Sequence, residues 1–349
     1  MGSSTDELMV DKLMNVIKKA DMYSQAGVAD KVWNFALENP FGIVVKGEDE
    51  QMVPVIFSKP FGVMLPEVVA QFEADPQLSE YFMFSAGNTI ALRARFCHKV
   101  TKVNDTLSQI LCVIRNLPGK PFGDLDQFCD AWNFRLRNGV PQEEYRVPAN
   151  LAHILGVVTD RHATSVYSET EDGDVCVLVR KMAGEVECLS TLCEAEYLVA
   201  HEADGLEDEL RKAGELVYND DEGVDVLSYR RAGFVSFRHL QDRTIGTGVA
   251  GLPHLGITHV FDCKVVPGWD FRAEEEISLQ GRTPEGTPEW MTPKEVRDAL
   301  LSGKFTPEAG LVMLDFLYRH DLLGISMSDE QKKAMEDALH PLKDMLVVP

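Results

Sequence analysis

The residues best suited to chemistry lie in a segment bounded by two glycines, Gly184 and Gly205, which reads GEVECLSTLCEAEYLVAHEADGL with the next residue included. Carboxylates three or four positions apart on a helix share one face, where they can hold a divalent cation that activates water against a phosphoanhydride. The pattern needs acids at positions i, i+3 and i+4, and this chain has Val199, Glu202 and Ala203 there, so Glu202 is the only acid of the three. A metal site here would therefore need acids from elsewhere in the chain.

A group of arginines is the second candidate site. Arg230, Arg231 and Arg238 lie close together in the sequence, with Arg243 shortly after them. Arg230 and Arg231 fall between two predicted strands, and Arg238 ends the second of these strands. Guanidinium groups bind phosphate oxygens through two parallel hydrogen bonds, so this group predicts a phosphate-binding surface. Ordinary pairing with the many carboxylates of the chain is the alternative explanation, and the sequence leaves both open.

The overall charge limits the classes of partner. The chain has 34 Lys and Arg against 56 Asp and Glu, which gives a formal net charge of -22. Such a charge repels the phosphate backbone, so we do not expect bulk nucleic-acid binding, although a local pocket can still bind one phosphorylated small molecule. We also expect no membrane partner, because no apolar run is long enough for a membrane-spanning helix.

Cysteine usage indicates the compartment. The seven cysteines are scattered, odd in number and contain no C-x2-C pair, so they predict neither a disulfide framework nor a zinc site. We therefore expect reduced thiols in a cytoplasmic protein.

The elements that must position these residues fall into two halves. In the first half, predicted helices cover 4–20, 66–72, 104–117 and 124–136, and predicted strands cover 43–45, 52–57, 82–84 and 89–92. Residues 32–37 fit a helix or a strand. This mixture predicts an N-terminal α+β domain over residues 1–148.

The second half alternates strands with helices. Predicted strands cover 152–158, 164–168, 175–179, 224–229, 233–238 and 258–264, and predicted helices cover 189–202, 293–302 and 307–317. This order predicts an α/β domain over residues 149–325, followed by a polar helical tail over 326–349.

Three motifs together give a resemblance to a known family. Residues 184–206 match the glycine frame of the Nudix box, G-x5-E-x7-R-E-U-x-E-E-x-G-U. The stretch 256–323 resembles the end of the Nudix proteins related to thiamine pyrophosphokinase, the Nudix hydrolase 20-like group. Its motif positions are Phe261-Asp262, Gly303, Phe305, Pro307, Leu311-Val312, Asp315-Phe316-Leu317 and Arg319-His320. FGVMLPEVVAQF at 61–72 and EYRV at 144–147 resemble the leading domain of the same group, so the resemblance covers about residues 10–325.

The resemblance implies a Nudix α/β/α sandwich and an ancestor that hydrolysed a nucleoside or thiamine-like diphosphate with Mg²⁺ or Mn²⁺. In that frame most of the charged box positions are replaced. Ser190 stands where the first Glu belongs, Leu198 replaces the Arg, and Val199 and Ala203 replace two further glutamates, while Glu202, Gly205 and Leu206 remain. The loop between Val179 and Gly184 is also shorter than in the family.

Two hypotheses follow. In the favoured one, hydrolysis is lost, no cofactor is needed, and the protein binds a phosphorylated ligand or acts as a subunit or scaffold for a protein partner. In the alternative, it is an active pyrophosphohydrolase with a rebuilt Mg or Mn site in which Glu202 is a ligand. A second carboxylate within about 4–5 Å of Glu202 would support the enzyme. An apolar environment formed by Leu198, Val199 and Ala203 would support the binding protein.

Overall fold

The structure, a computed structural model of the 349-residue chain, forms two compact units. It describes residues 4–21, 32–38, 44–46, 52–54, 61–85, 87–122, 133–136, 145–182, 188–191, 193–195, 226–240, 251–267 and 286–342. Unit one comprises Met1–Asp21, Asp160–Phe237 and Ile257–Pro341, and unit two comprises Met22–Thr159, Arg238–Gly256 and Leu342–Pro349. Each unit is built from three segments that are separated in the sequence. The bounds of these segments differ from those of the domains predicted over 1–148, 149–325 and 326–349.

Unit two contains a four-stranded sheet with the order β4-β1-β6-β5. Its strands are β1 (Trp33–Leu37), β4 (Gly62–Met64), β5 (Phe82–Ser85) and β6 (Thr89–Leu92). Strands β1 and β6 are parallel, and the other neighbours are antiparallel. Two antiparallel pairs lie outside this sheet: β2 (Val44–Lys46) with β3 (Met52–Pro54), and β7 (Asn133–Leu136) with β8 (Tyr145–Pro148).

The helices of unit two are α2 (Pro66–Ala74), α3 (Pro76–Tyr81), α4 (Ala94–Cys97), α5 (Val100–Arg115) and α6 (Ala149–Ile154). Helix α2 begins at the predicted proline, which needs no hydrogen-bond acceptor at the first helical position. The predicted hairpin at 43–57 is confirmed, and residues 32–37 form a strand. Helix α5 confirms the prediction at 104–117 and begins four residues earlier, at Val100.

Two predictions in this part of the chain are wrong. Residues 133–136 form a strand instead of the end of a helix over 124–136, the rest of which lies outside the described residues. Residues 149–154 form helix α6, whereas a strand was predicted over 152–158. Gly156 then reverses the chain at φ +56, and a Cβ at this position would lie 1.7 Å from the carbonyl oxygen of Val63. The buried, evenly apolar run before Gly156 fits either a helix or a strand, which explains the error.

The larger sheet has seven strands. They are β9 (Val158–Glu169), β10 (Val175–Met182), β11 (Cys188–Thr191), β12 (Cys193–Ala195), β13 (Val226–Leu240), β14 (Pro253–Val265) and β15 (Gly286–Met291). The main order is β11-β10-β9-β14-β13, with β12 paired to β9 and β15 paired to β10. The predicted strand 164–168 is part of the longer strand β9. The predicted strands 224–229 and 233–238 are parts of one long strand, β13, from Val226 onward, and residues 224 and 225 lie outside the described residues.

The predicted helix over 189–202 is wrong for its first half. Residues 188–191 and 193–195 are strands, and residues 196–202 lie outside the described residues. Leu189 is buried, its N–H donates to the carbonyl of Lys304, and its carbonyl accepts from the N–H of Thr306. These long-range hydrogen bonds fix the backbone in an extended form that local helical periodicity does not reveal.

Four helices supply the core of unit one: α1 (Ser4–Ala20), α7 (Pro293–Leu301), α8 (Pro307–Arg319) and α9 (Asp329–Leu339). Leu13 and Ile17 of α1 and Met335 and Leu339 of α9 belong to the same buried cluster as α8. The two chain ends thus complete the apolar core around α8, which is why the compact units do not follow sequence order. The α/β class is confirmed.

None of the described helices combines the length and apolar character needed to cross a membrane.

Candidate functional site

Asp262, on strand β14, is the centre of a buried ion-pair cluster in unit one. Its side chain is 1% exposed and accepts hydrogen bonds from Nη1 and Nη2 of Arg319 at 2.7 and 3.0 Å. Nε2 of His320 lies 2.9 Å from Oδ2 of Asp262. Burial alone would raise the pKa of Asp262, but the hydrogen bonds from His320 and Arg319 outweigh it and lower that pKa to about 2. Asp262 is therefore an anion at neutral pH.

Arg319, at the last position of α8, joins two carboxylates. Besides its two hydrogen bonds to Asp262, its Nε donates to Oδ2 of Asp315 at 2.7 Å, one helical turn earlier. Burial opposes the charge of Arg319, yet the hydrogen bond to Asp262 and the charge of Asp315 raise its pKa. Burial also raises the pKa of Asp315, although Arg319 opposes this shift. One forked guanidinium thus fixes the end of α8 to β14.

Aromatic rings surround His320. Its ring centroid lies 4.3 Å from that of Phe316 and 5.2 Å from that of Tyr167 on strand β9, and the rings of Tyr167 and Phe316 are 5.3 Å apart. Burial, followed by the charge of Asp262, raises the pKa of the Tyr167 phenol. This packing holds the imidazole beside Asp262, so the Phe-Asp and Arg-His motifs of the sequence meet in one structural cluster.

The predicted phosphate-binding arginines do not form a single cluster. The side chain of Arg230 is 63% exposed, and its Nη2 lies 3.5 Å from Oδ2 of Asp262. Nη2 of Arg231 instead lies 3.5 Å from Nδ1 of His259. Adjacent residues of a strand point to opposite faces of the sheet, which explains the separation. Arg238 belongs to unit two.

The side chains of strand β13 do not alternate regularly between the two faces of the sheet along the whole strand. Arg230 contacts Asp262, and Asp262 shares a face of β14 with Val260, a member of the core around α8. Val235 of β13 also belongs to that core, although strict alternation would place it on the face opposite to Arg230. Gly233, with φ +146, lies between them. The side on which residues face therefore changes between Arg230 and Val235, and Arg230 lies at the exposed rim of the Asp262 cluster.

The Nudix-box segment is described only in part. Gly184, Glu202 and Gly205 lie outside the described residues. Ser190, at the position of the first box glutamate, lies in β11 opposite Arg180 of β10. The adjacent Leu189 is bonded on both sides of its backbone to the segment that leads into α8. The described part of the box therefore serves to hold strands and helix together.

The described part of this box does not fit a magnesium or manganese ion. Mg²⁺ prefers carboxylate oxygens, and Ser190 supplies only a hydroxyl group at the acidic position. The oxygens of Asp262, the other acid of a family motif, already accept from Arg319 and lie beside His320. A metal site at this box would thus need Glu202, which lies outside the described residues.

No protein-family model and no curated protein matches the chain. Solved structures of Nudix hydrolases are similar to it over about half of its length. A C. elegans Ap4A hydrolase in a binary complex has 8% identity and a TM-score of 0.28, covering 47% of this chain and 98% of that one. A possible asymmetric diadenosine tetraphosphate hydrolase from Jonesia denitrificans has 14% identity and a TM-score of 0.31, with coverages of 49% and 99%. The Nudix hydrolase RenU from M. smegmatis has 10% identity and a TM-score of 0.24, with coverages of 46% and 84%. At these values the likeness assigns no reaction to this chain, so function must be argued from its own residues.

The sequence contains both motifs but does not show their contact. Cations are favourable at any helix C-terminus, so Arg319-His320 at the end of α8 does not by itself indicate a distant partner. The spacing of Asp315 and Arg319, four residues apart on a helix, was an available signal for their ion pair. The bonds from Arg319 to Asp262 cross 57 positions of sequence, and no local pattern predicts such a contact.

Proposed function

We propose that this protein has a Nudix fold that no longer hydrolyses diphosphates. It acts instead by binding a phosphorylated small molecule, or by serving as a subunit or scaffold in a complex. It needs neither Mg²⁺ nor Mn²⁺ for this role. We place the role in the cytoplasm, an assignment that rests on the scattered, odd set of seven cysteines.

The observation that carries the proposal is the use made of the box position Ser190. A hydrolytic box needs a carboxylate there to help hold the metal that polarises the diphosphate. In this chain the position carries a serine in a paired strand, next to the buried Leu189 that binds the 304–306 segment. Three further positions that carry charged residues in the Nudix box carry apolar residues in this sequence: Leu198, Val199 and Ala203.

Arg230 supports retained binding of an anionic group. Its guanidinium is more than half exposed, and its single described ion pair, to Asp262, is long at 3.5 Å. Asp262 already has the two shorter bonds from Arg319, so Arg230 contributes little to neutralising it. An exposed guanidinium held at a rigid rim can bind phosphate oxygens at little cost in conformational entropy.

The test separates hydrolysis from binding. Wild-type protein is incubated with ADP-ribose, diadenosine tetraphosphate and thiamine diphosphate in Mg²⁺ or Mn²⁺, and product release is measured by chromatography. Binding of the same compounds in EDTA is measured by calorimetry. We expect no turnover above the protein-free blank, together with metal-independent binding of at least one compound.

Two substitutions locate the binding. If the ligand lies at the rim of the Asp262 cluster, Arg230→Gln weakens binding about tenfold, in line with the loss of one charge-assisted contact. Arg231→Gln is the matched control, because it removes the same charge from the opposite face of β13. Metal-dependent turnover that Glu202→Gln abolishes would contradict the proposal and establish the hydrolase instead.

A further inference from the structure

One surface of unit two has the opposite charge to the rest of the chain. Residues 81–104 contain no Asp or Glu, in a chain that has 56 acidic residues overall. Within this stretch lie five basic side chains, which we call the basic surface: Arg93, Arg95, His98, Lys99 and Lys102. They follow β6 through the short helix α4 into the first turn of α5. The proposed Nudix function does not use any of them.

The basic surface is accessible to a partner. Arg95, His98 and Lys99 are exposed, and Arg93 and Lys102 are half-buried. Short elements on both sides hold the backbone, because the N–H of Arg93 donates to the carbonyl of Tyr81 and the N–H of Ala94 donates to a carboxylate oxygen of Glu38 at 2.7 Å.

The described part of the chain does not neutralise these cations. Among the residues that the structure describes, none of the five forms an ion pair with a carboxylate. Two acids of the same unit have other roles: Glu38 binds the N–H of Ala94, and Asp75 caps helix α3 through the N–H groups of Gln77 and Leu78. In a chain of charge -22, unpaired cations gathered in one place create a local positive potential.

Aromatic rings hold two of the cations in place. The guanidinium carbon of Arg95 lies 4.7 Å above the ring centroid of Phe96, and Nζ of Lys102 lies 6.0 Å from the same centroid. The ring of Tyr81 packs against Phe96 at 5.3 Å, and Nη2 of Arg95 donates to the carbonyl of Glu80 at 2.7 Å. A side chain fixed before binding loses less entropy when a partner arrives.

Cations at the start of helix α5 are unfavourable for the stability of that helix. Lys99 is the N-cap of α5 without a side-chain capping bond, and the first turn of this helix has no acidic residue. The positive end of the helix macrodipole disfavours cations there. A bound anionic partner would offset this unfavourable interaction.

We propose that the basic surface docks an acidic peptide segment of a partner protein. Small-molecule sites are concave, whereas these side chains lie exposed or half-buried along a helix start and its approach. A nucleic acid carries charge along its whole length and would extend beyond the five cations toward the acidic remainder of the chain, whereas a short acidic segment can be limited to the basic surface. Arginine together with half-exposed aromatic rings is the composition enriched at protein interfaces, and opposite charge selects an acidic partner.

The experiment measures the fluorescence anisotropy of a short fluorescein-labelled peptide of Glu, Asp and Gly, titrated with the full chain. The neutral peptide, with Gln and Asn in place of Glu and Asp, is the ligand control. The triple variant Arg95→Gln/Lys99→Gln/Lys102→Gln should bind the acidic peptide about tenfold more weakly, as the loss of three charge contacts at the surface implies. Added salt should weaken wild-type binding.

The matched protein control is Lys12→Gln/Lys332→Gln/Lys333→Gln, which changes the net charge equally at exposed positions of unit one. This control should bind the peptide like the wild type. Equal affinity of both triple variants would overturn the proposal. Two other results would also overturn it. In the first, sedimentation shows that the wild type is a dimer and that only the substitutions in the basic surface dissociate it. In the second, the protein binds inorganic pyrophosphate instead of the peptide, and this binding depends on the same three residues. None of these outcomes depends on whether the chain hydrolyses diphosphates.

Discussion

Arg319 stabilises the end of α8, because its guanidinium forms ion pairs with the buried carboxylates of Asp262 and Asp315. Two anions near each other in a buried place would repel without it. His320, flanked by Tyr167 and Phe316, is the second side chain after Arg319 that lies within hydrogen-bond distance of Asp262. Removing any one charge leaves the others in an environment of low dielectric, where an unpaired charge is costly.

Asp262→Asn should therefore destabilise the protein. We expect the free energy of unfolding to fall by about 3 kcal/mol, because Arg319 loses a bidentate carboxylate partner in a buried site. The measurement is urea denaturation followed by circular dichroism. Asp298→Asn, at a largely exposed carboxylate, is the control and should change the value by less than about 0.5 kcal/mol. Similar small effects of both substitutions would show that the cluster contributes little.

The same carboxyl group makes stability depend on pH. Its folded pKa is about 2, below the ordinary 3.8, so its contribution is fully present above pH ~4 and is lost as the pH falls through about 2. The shift corresponds to about 2 kcal/mol. Asp315 acts in the opposite sense, because its pKa is raised and its protonation favours the folded state. The difference in unfolding free energy between wild type and Asp262→Asn should thus shrink between pH 4 and pH 2. A constant difference would assign the effect to shape instead of charge.

The sequence predicted these residues only as parts of two motifs. Asp262 and Arg319-His320 were identified by resemblance, but their mutual contact depends on how β14 lies beside α8. The sequence also did not show which face of the sheet each of Arg230, Arg231 and Arg238 occupies. The side on which residues of β13 face changes near Gly233, and regular alternation of side chains along a strand does not predict such a change.

Helix α8 organises unit one at the scale of elements. Thr306 caps it by accepting from the N–H of Ala309, Pro307 begins it, and nearly every residue after that is buried. Helix α1 packs against it, α9 packs against α1, and all three helices contribute to one buried cluster. The element is thus both locally favoured and globally required, the combination expected of a stable core helix.

Gly310 within α8 offers a stabilising substitution. A Cβ there would have its nearest contacts, with Leu300 and Phe305, at 3.6 Å, which is ordinary van der Waals distance. Gly310→Ala should raise the free energy of unfolding by about 0.5–1 kcal/mol, because alanine loses less backbone entropy in a helix. Thermal unfolding measures the change. Gly156→Ala is the contrasting variant and should destabilise strongly, because its Cβ would collide with the carbonyl of Val63. A loss of stability in Gly310→Ala would mean that the interior around α8 cannot accept one methyl group.

The N-terminal helix α1 should behave as part of the core. Leu13 is 0% exposed and packs in the cluster around α8, whereas Leu8 on the same helix is 55% exposed. Leu13→Ala should lower the free energy of unfolding by about 2–5 kcal/mol through lost burial and a cavity. Leu8→Ala is the matched control, with the same chemical change at the surface, and should have little effect in the same denaturation experiment. Equal effects would remove α1 from the core.

Elements with strong local signals were predicted correctly. Pro66, Pro293 and Pro307 mark the starts of three helices, and amphipathic periodicity gave α1 and α5. The segment 188–195 was mistaken for a helix, because its extended form depends on hydrogen bonds to residues 304–306 and on pairing with β9 and β10. Such long-range contacts outweigh weak local helical preference.

At the scale of the whole molecule, the sequence predicted two parts and the α/β class, but not how segments are shared between them. The apolar faces of α1 and α9 do not say which surface they cover, so the assignment of both helices to unit one required the structure. The net charge of -22 likewise hides the basic surface at residues 93–102, whose cations have no carboxylate partner among the described residues.

Calorimetric titration of Mg²⁺ and Mn²⁺ into the purified full chain tests most directly the proposal that this protein works without the metal of the Nudix hydrolases it resembles. Glu202→Gln is the control, because Glu202 is the one box glutamate that the sequence retains. We predict no binding at submillimolar concentration, and the same titration curve for wild type and variant, since one carboxylate alone holds these ions poorly. Submillimolar binding by the wild type that Glu202→Gln abolishes would contradict the account and show that a catalytic metal site has been rebuilt.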